Sequence, residues 1–141
     1  MLTKDLDLFT LRVARTAVAA EAGGLIEWGY ARYKAGPFNL QRIFPGIYGV
    51  ERDAVGAMLR CTPTTNAVER SARMRERGLD RDTCFEISEV NDCGSRDETM
   101  QSRRIRVLAW LDSRIRSHPE NVEWERFKAE VKKQMGQACF T

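Results

Sequence analysis

Arginine carries most of the chemistry that this chain could perform. The 141 residues hold 18 Arg against 5 Lys, within 23 basic and 20 acidic groups, for a net charge of +3. A guanidinium group suits fixed, forked contacts with carboxylates and phosphates better than an ammonium group does. The densest run is Arg70-x-x-Arg73-x-Arg75-x-Arg77. On a helix, Arg70, Arg73 and Arg77 share one face and Arg75 points away. Three aligned guanidinium groups can grip an acidic protein partner or phosphates, or simply form a solvated face. A second group is acidic: Glu86, Glu89, Asp92, Asp97 and Glu98. It is dense enough for a cation site or an acid–base pair. Its spacing does not match the oxygen ligands of a calcium loop, and a solvated acidic turn is the plainer reading. His118, the one histidine, stands beside Pro119 and reads as a helix-boundary residue, with no triad or zinc motif around it. Cys61, Cys84, Cys93 and Cys139 fit no paired zinc pattern. Cys84 and Cys93 flank one short segment, where they either pair or stay free. The glycines form no phosphate-binding loop.

Composition narrows the classes further. One domain over residues 1–141 fits the length, and 43% hydrophobic residues can supply a core. No apolar run approaches the roughly 18 residues that span a bilayer. Asp5 and Asp7 stand where a secretory signal would be positive, and they also argue against an Arg-rich cleavable presequence. Charge is distributed in blocks: 60–77 is basic, 80–98 acidic and 101–141 basic. Such blocks can satisfy one another or face different partners.

The elements that must position these groups read as helices. Thr3 is a candidate N-cap for a first helix, with Asp5 and Asp7 in its first turn. Leu6, Phe9, Val13 and Ala17 recur at helical spacing, and Leu8 and Leu11 widen the stripe. Apolar content continues through Trp28, Tyr30 and Tyr33 to about Lys34, more than one small core needs on a single helix. Pro37, Pro45, Gly46 and Gly49 break up 36–49, which reads as a loop pinned to something apolar through Ile43, Phe44, Ile47 and Tyr48. A second helix is expected from about Val50 to Cys61 and a third from Asn66 to Arg77, ending at Gly78. Thr83 to Val90 is the one strand-like stretch, since Phe85 and Ile87 alternate with polar residues; a single strand has no partner within the chain, so an extended loop or a short helix is the other reading. Ser95-Arg-Asp-Glu98 has the form of a capping box opening a long helix to about Arg116. Ser117-His-Pro-Glu120 opens the last, which ends at Gly136 and leaves Cys139-Phe-Thr141 as a tail. The sum is an all-α domain of four to five helices with little or no sheet.

One stretch supports a sharper expectation. Leu59, Arg60 and Pro63, followed by Arg70, Arg73 and Met74, resemble in spacing the centre of the subunit-seven, or ubiquinone-binding-protein, family of mitochondrial ubiquinol–cytochrome c reductase (respiratory complex III). Upstream, Tyr33-Lys34-Ala35-Gly36 is similar to that family's turn after its first helix. The resemblance spans residues 25–75. Cys61, Thr62 and Glu76 depart from the family's Arg, Leu and Arg. The resemblance implies a non-catalytic accessory subunit without a cofactor, on the matrix side of the mitochondrial inner membrane. It would pack on cytochrome b and the core subunits and support assembly, with Lys34, Arg60, Arg70, Arg73 and Arg77 as partner-binding residues. The alternative from the residues alone is a small nucleic-acid-binding or regulatory helical module, cytoplasmic, using the Arg70/Arg73/Arg77 face. An enzyme built on Glu86, Glu89 and Asp92 has only the acidic turn behind it.

Overall fold

Every α-helix begins on a side chain that takes up an otherwise free backbone amide, as helix starts require. The computed structural model describes residues 3–136. Asp7 accepts from the Thr10 amide at 2.6 Å and opens α1 (Leu8–Ala19). Asp53 accepts from Gly56 at 2.6 Å and opens α2 (Ala54–Met58). Asn66 caps α3 (Ala67–Glu76) and Asp80 caps α4 (Arg81–Asp92), each at 2.9 Å. Thr99 caps α5 (Met100–Ser117), and the His118 ring caps α6 (Pro119–Met135). Thr3–Asp5 and Pro37–Arg42 form short 3-10 segments. Two three-residue strands, β1 (Ala31–Tyr33) and β2 (Val50–Arg52), pair antiparallel with Arg32 opposite Glu51.

The fold is predominantly helical. Its helix count among the described residues exceeds the four to five expected, and it includes a small two-stranded sheet. The first helix stops at Ala19 rather than near Lys34, and the chain turns at Gly24 and Gly29, both at positive φ. Its cap is Asp7. Thr3 instead donates its amide and hydroxyl to the Glu86 carboxylate at 2.9 and 2.6 Å. Val50–Cys61 is divided by Asp53 into strand β2 and the short α2. The strand-like segment 83–90 is helical, because Thr83, Ile87 and Asn91 recur every fourth residue and face inward. The Ser95–Glu98 box does not open α5; Thr99 does, and Glu98 turns to Arg106. Helix α3, the Pro119 start and the end at Gly136 fall as the residues imply. The Cys139-Phe-Thr141 tail lies outside the described residues.

Helices α1 and α5 run antiparallel. His118 contacts the Leu6 carbonyl, Arg15 pairs with Asp112 at 2.8 Å, and Arg104 donates to the Ala19 carbonyl at 2.6 Å. Packed between and beside them, α2 and α4 complete one core, which centres on Leu11, Val18, Leu25, Leu59, Ile87, Val107 and Leu111. Asn91 stitches this core from within. Its carbonyl accepts from the Ala54 amide, and its amide group donates to the Ile26 and Glu27 carbonyls. Helix α2 lies so close to Tyr30 that a Cβ at position 56 would overlap the Tyr30 carbonyl, so Gly56 is required there.

Candidate docking surfaces

The basic helix α3 has no fully buried residue. Arg70, Arg73 and Arg77 do lie on one face and are half-buried, while Arg75 is exposed. That face turns toward α2 and the hairpin. Arg70 stacks over the Tyr30 ring, 4.4 Å from its centroid, and donates to the Thr65 carbonyl at 3.0 Å. Arg73 donates to the Leu59 and Arg60 carbonyls at 3.2 and 2.8 Å. Arg52 takes the next carbonyl, Cys61, at 2.7 Å. Guanidinium groups therefore satisfy three consecutive carbonyls where α2 ends, the place where helix geometry leaves acceptors unfilled and the dipole is negative. Two members of the aligned set thus bind their own chain.

Arg60 and Arg77 meet elsewhere. Arg60 holds a left-handed backbone conformation, φ 53°, and its side chain is exposed. Both residues border a groove of about 630 Å³ between α1 and the end of α2. Phe9, Val13 and Ala17 of α1 and its C-cap Ala20, with Ala57 of α2, line its floor. An adjoining hollow of about 440 Å³ shares Phe9, Val13 and Arg77. The expected core stripe of α1 is accordingly redrawn. Leu8, Leu11, Ala14 and Val18 face the core, and Phe9 is 76% exposed. Arg12, which the sequence reading passed over, completes the groove's basic rim. The signal that could have found it was the double width of the α1 apolar surface.

A second surface is the long β1–β2 connection. Phe38 is 95% exposed, and Ile43, Phe44 and Ile47 are 68, 57 and 60% exposed. Its base is fixed: the Lys34 amide bonds to the Gly49 carbonyl, and the Tyr48 ring covers Gly36 where any Cβ would intrude. The loop expected to be pinned to something apolar therefore presents its apolar side chains to solvent. Lys34 is exposed at its base, away from the α1 groove.

Several of the remaining candidate groups are engaged locally. Glu86 binds Thr3 and Arg114, and Glu98 binds Arg106. No cluster of three His, Cys, Asp or Glu suited to a metal occurs among the described residues. His118 accepts from the Glu120 amide through Nδ1, which leaves Nε2–H to donate to the Leu6 carbonyl. Cys61, Cys84 and Cys93 are free thiols. The helical path of α4 between positions 84 and 93 separates them by roughly 13 Å, beyond the reach of a disulfide. Burial raises the Cys84 thiol to about 11 and pushes Cys61 up as well. No helix among the described residues is long and apolar enough to cross a membrane. No family model matches the chain, and no curated protein or solved structure matches it either.

Proposed function

We propose that the protein is a non-catalytic accessory subunit that docks on a larger protein assembly through the tip of its β1–β2 connection. The observation that carries this reading is the exposure of Phe38, Ile43, Phe44 and Ile47 on a loop whose base is anchored. Contiguous apolar patches on a soluble surface mark contact sites. The resemblance over residues 25–75 supplies the assembly: ubiquinol–cytochrome c reductase, at the matrix face of the mitochondrial inner membrane, with cytochrome b and the core subunits as neighbours. Lys34 and Arg60 remain exposed and free to reach acidic groups on such neighbours. The reading assigns no catalytic residue and no cofactor.

The test is native electrophoresis of detergent-solubilised membranes carrying a tagged copy. The tagged chain is expected to co-migrate with haem absorbance, and a Phe38→Ser/Ile43→Ser/Ile47→Ser variant, folded by circular dichroism, is expected to run free of it. Recovery of the parent chain as a haem-free monomer overturns the assigned assembly. A triple variant that still co-migrates overturns the docking role of the loop. Flotation of the purified chain with lipid vesicles, lost in the triple variant, would reassign the loop to the membrane surface.

A further inference from the structure

We propose that the groove along α1 is a receptor for an acidic amphipathic helix of a partner protein. This surface is separate from the β1–β2 loop, so the inference stands whichever assembly the loop serves. Its floor is set by positions 9, 13, 17 and 20, a regular row on one side of a helix. The row runs about 16 Å, or three helical turns. Phe9 projects at the far end, 76% exposed. Ala17, Ala20 and Ala57 are small, so a second helix can lie against α1 at the closer end of the usual 8–10 Å spacing. The groove is open along its length. A slender acyl chain laid there would keep much of its surface in water, whereas an amphipathic helix would bury its apolar side and expose only its polar one.

Charge selects the partner's sign. Among the described residues, four arginines border the main groove, Arg12, Arg52, Arg60 and Arg77, against one carboxylate, Glu21. Arg52 pairs with Glu21 at 3.1 Å, so these two cancel. Three guanidinium groups remain. Arg12 and Arg60 are exposed on opposite walls. Arg77, half-buried at the C-cap of α3, borders both hollows. In the adjoining hollow, Asp7 is engaged in capping α1, and Glu76 stands next to Arg77. An apolar strip flanked by guanidinium groups on both sides complements a helix with Leu or Val along one face and Glu or Asp beside it.

The backbone at Arg60 strengthens the assignment. A left-handed conformation is disfavoured for any residue with a Cβ, and at the end of a helix it is ordinarily filled by glycine or asparagine. Here Arg73 and the Cys61 amide hold the turn, the latter by bonding to the Gly56 carbonyl at 2.8 Å. An arginine kept at a position that glycine fits better is strain of the kind found at functional sites.

The experiment uses a synthetic amphipathic helix of about four turns, with Leu and Ala on one face and flanking Glu, titrated against the full chain by calorimetry and by amide chemical shifts. Binding is expected in the micromolar range, weakening as salt is raised, with shifts at Phe9, Val13, Ala17 and Ala20. Arg12→Glu and Arg60→Gly are each expected to weaken it about tenfold, while Arg60→Gly leaves the melting temperature unchanged or raised. Equal binding of a Lys-flanked peptide, shifts confined to another face, or no effect of either substitution overturns the proposal. So does a self-association of the chain, or a binding of duplex DNA or anionic vesicles, that outcompetes the peptide and is lost in the same variants.

Discussion

Glu98 is gripped by two guanidinium groups from successive turns of α5. Arg106 binds it through both terminal nitrogens, and Arg103 lies at 3.3 Å. Hydrogen bonds from Arg106 hold its carboxyl below the ordinary value of 4.5. A carboxyl whose folded value is depressed contributes stability above its unfolded value, and that contribution disappears as pH falls through the folded one. Glu98→Gln is therefore expected to cost about 2 kcal/mol at neutral pH, with the gap from the parent chain closing as the pH drops below about 4.5. Urea melts at several pH values measure this. Thiol reactivity offers a second check. In a Cys139→Ser background at pH 8, Cys93 is expected to alkylate first. Cys84, raised by burial to about 11, should react about a hundredfold more slowly than an ordinary thiol, as read by mass spectrometry of each peptide. At this scale the sequence showed which residues could act but not on what. The spacing of Arg70, Arg73 and Arg77 correctly placed them on one face. It carried no information on whether that face looked outward, because the acceptors of Arg73 are backbone carbonyls that every residue possesses.

The elements divide by how local their determinants are. Helix α3 is bounded by Asn66 and Gly78, and α6 starts at His118-Pro119; caps and breakers lie next to the helices they bound, so they could be read directly. Helix α4 could not. Phe85 is 65% exposed although Ile87 is fully buried, and two apolar residues at an interval of two imitate a strand. Only Thr83 and Asn91, polar yet buried, complete the helical row, and a hydrophobic pattern passes over polar residues. The hairpin was hidden for a related reason: three-residue strands have almost no periodicity to detect, and their pairing depends on a contact across the intervening loop. Asn91 holds these pieces together. Replacing it by alanine would strand the Ala54 amide and two carbonyls without partners, and about 3 kcal/mol of stability should be lost in chemical denaturation. Asn91→Asp keeps the shape but gives up the donors to Ile26 and Glu27, so it should fall no better.

For the whole molecule, the antiparallel clasp of α1 on α5 is complete at His118, where the ring reaches Leu6. Helix α6 lies beyond it and contributes no buried residue; Trp124 and Phe127 stack on one another, with ring centroids 5.7 Å apart, instead of entering the core. A chain ending at His118 should fold and melt within a few degrees of the parent, as followed by circular dichroism at 222 nm. A collapse of the shortened chain would show that α6 has a structural role that its exposure conceals. Besides the predominantly helical class, the double width of the α1 apolar surface was legible from residues alone: one stripe builds the core and the other lines a groove. The sequence did not disclose which stripe served which purpose, since that depends on where α5 and α2 come to rest.

The exposure of α6 also shapes how this gene is free to change. Residues in and around the core are bound to one another, so drift at Asn91, Gly56 or Leu111 should be purged quickly. Along α6 a saturation mutagenesis library should accept nearly every replacement other than proline or glycine, leaving that arm as the segment where new specificities can accumulate without endangering the rest.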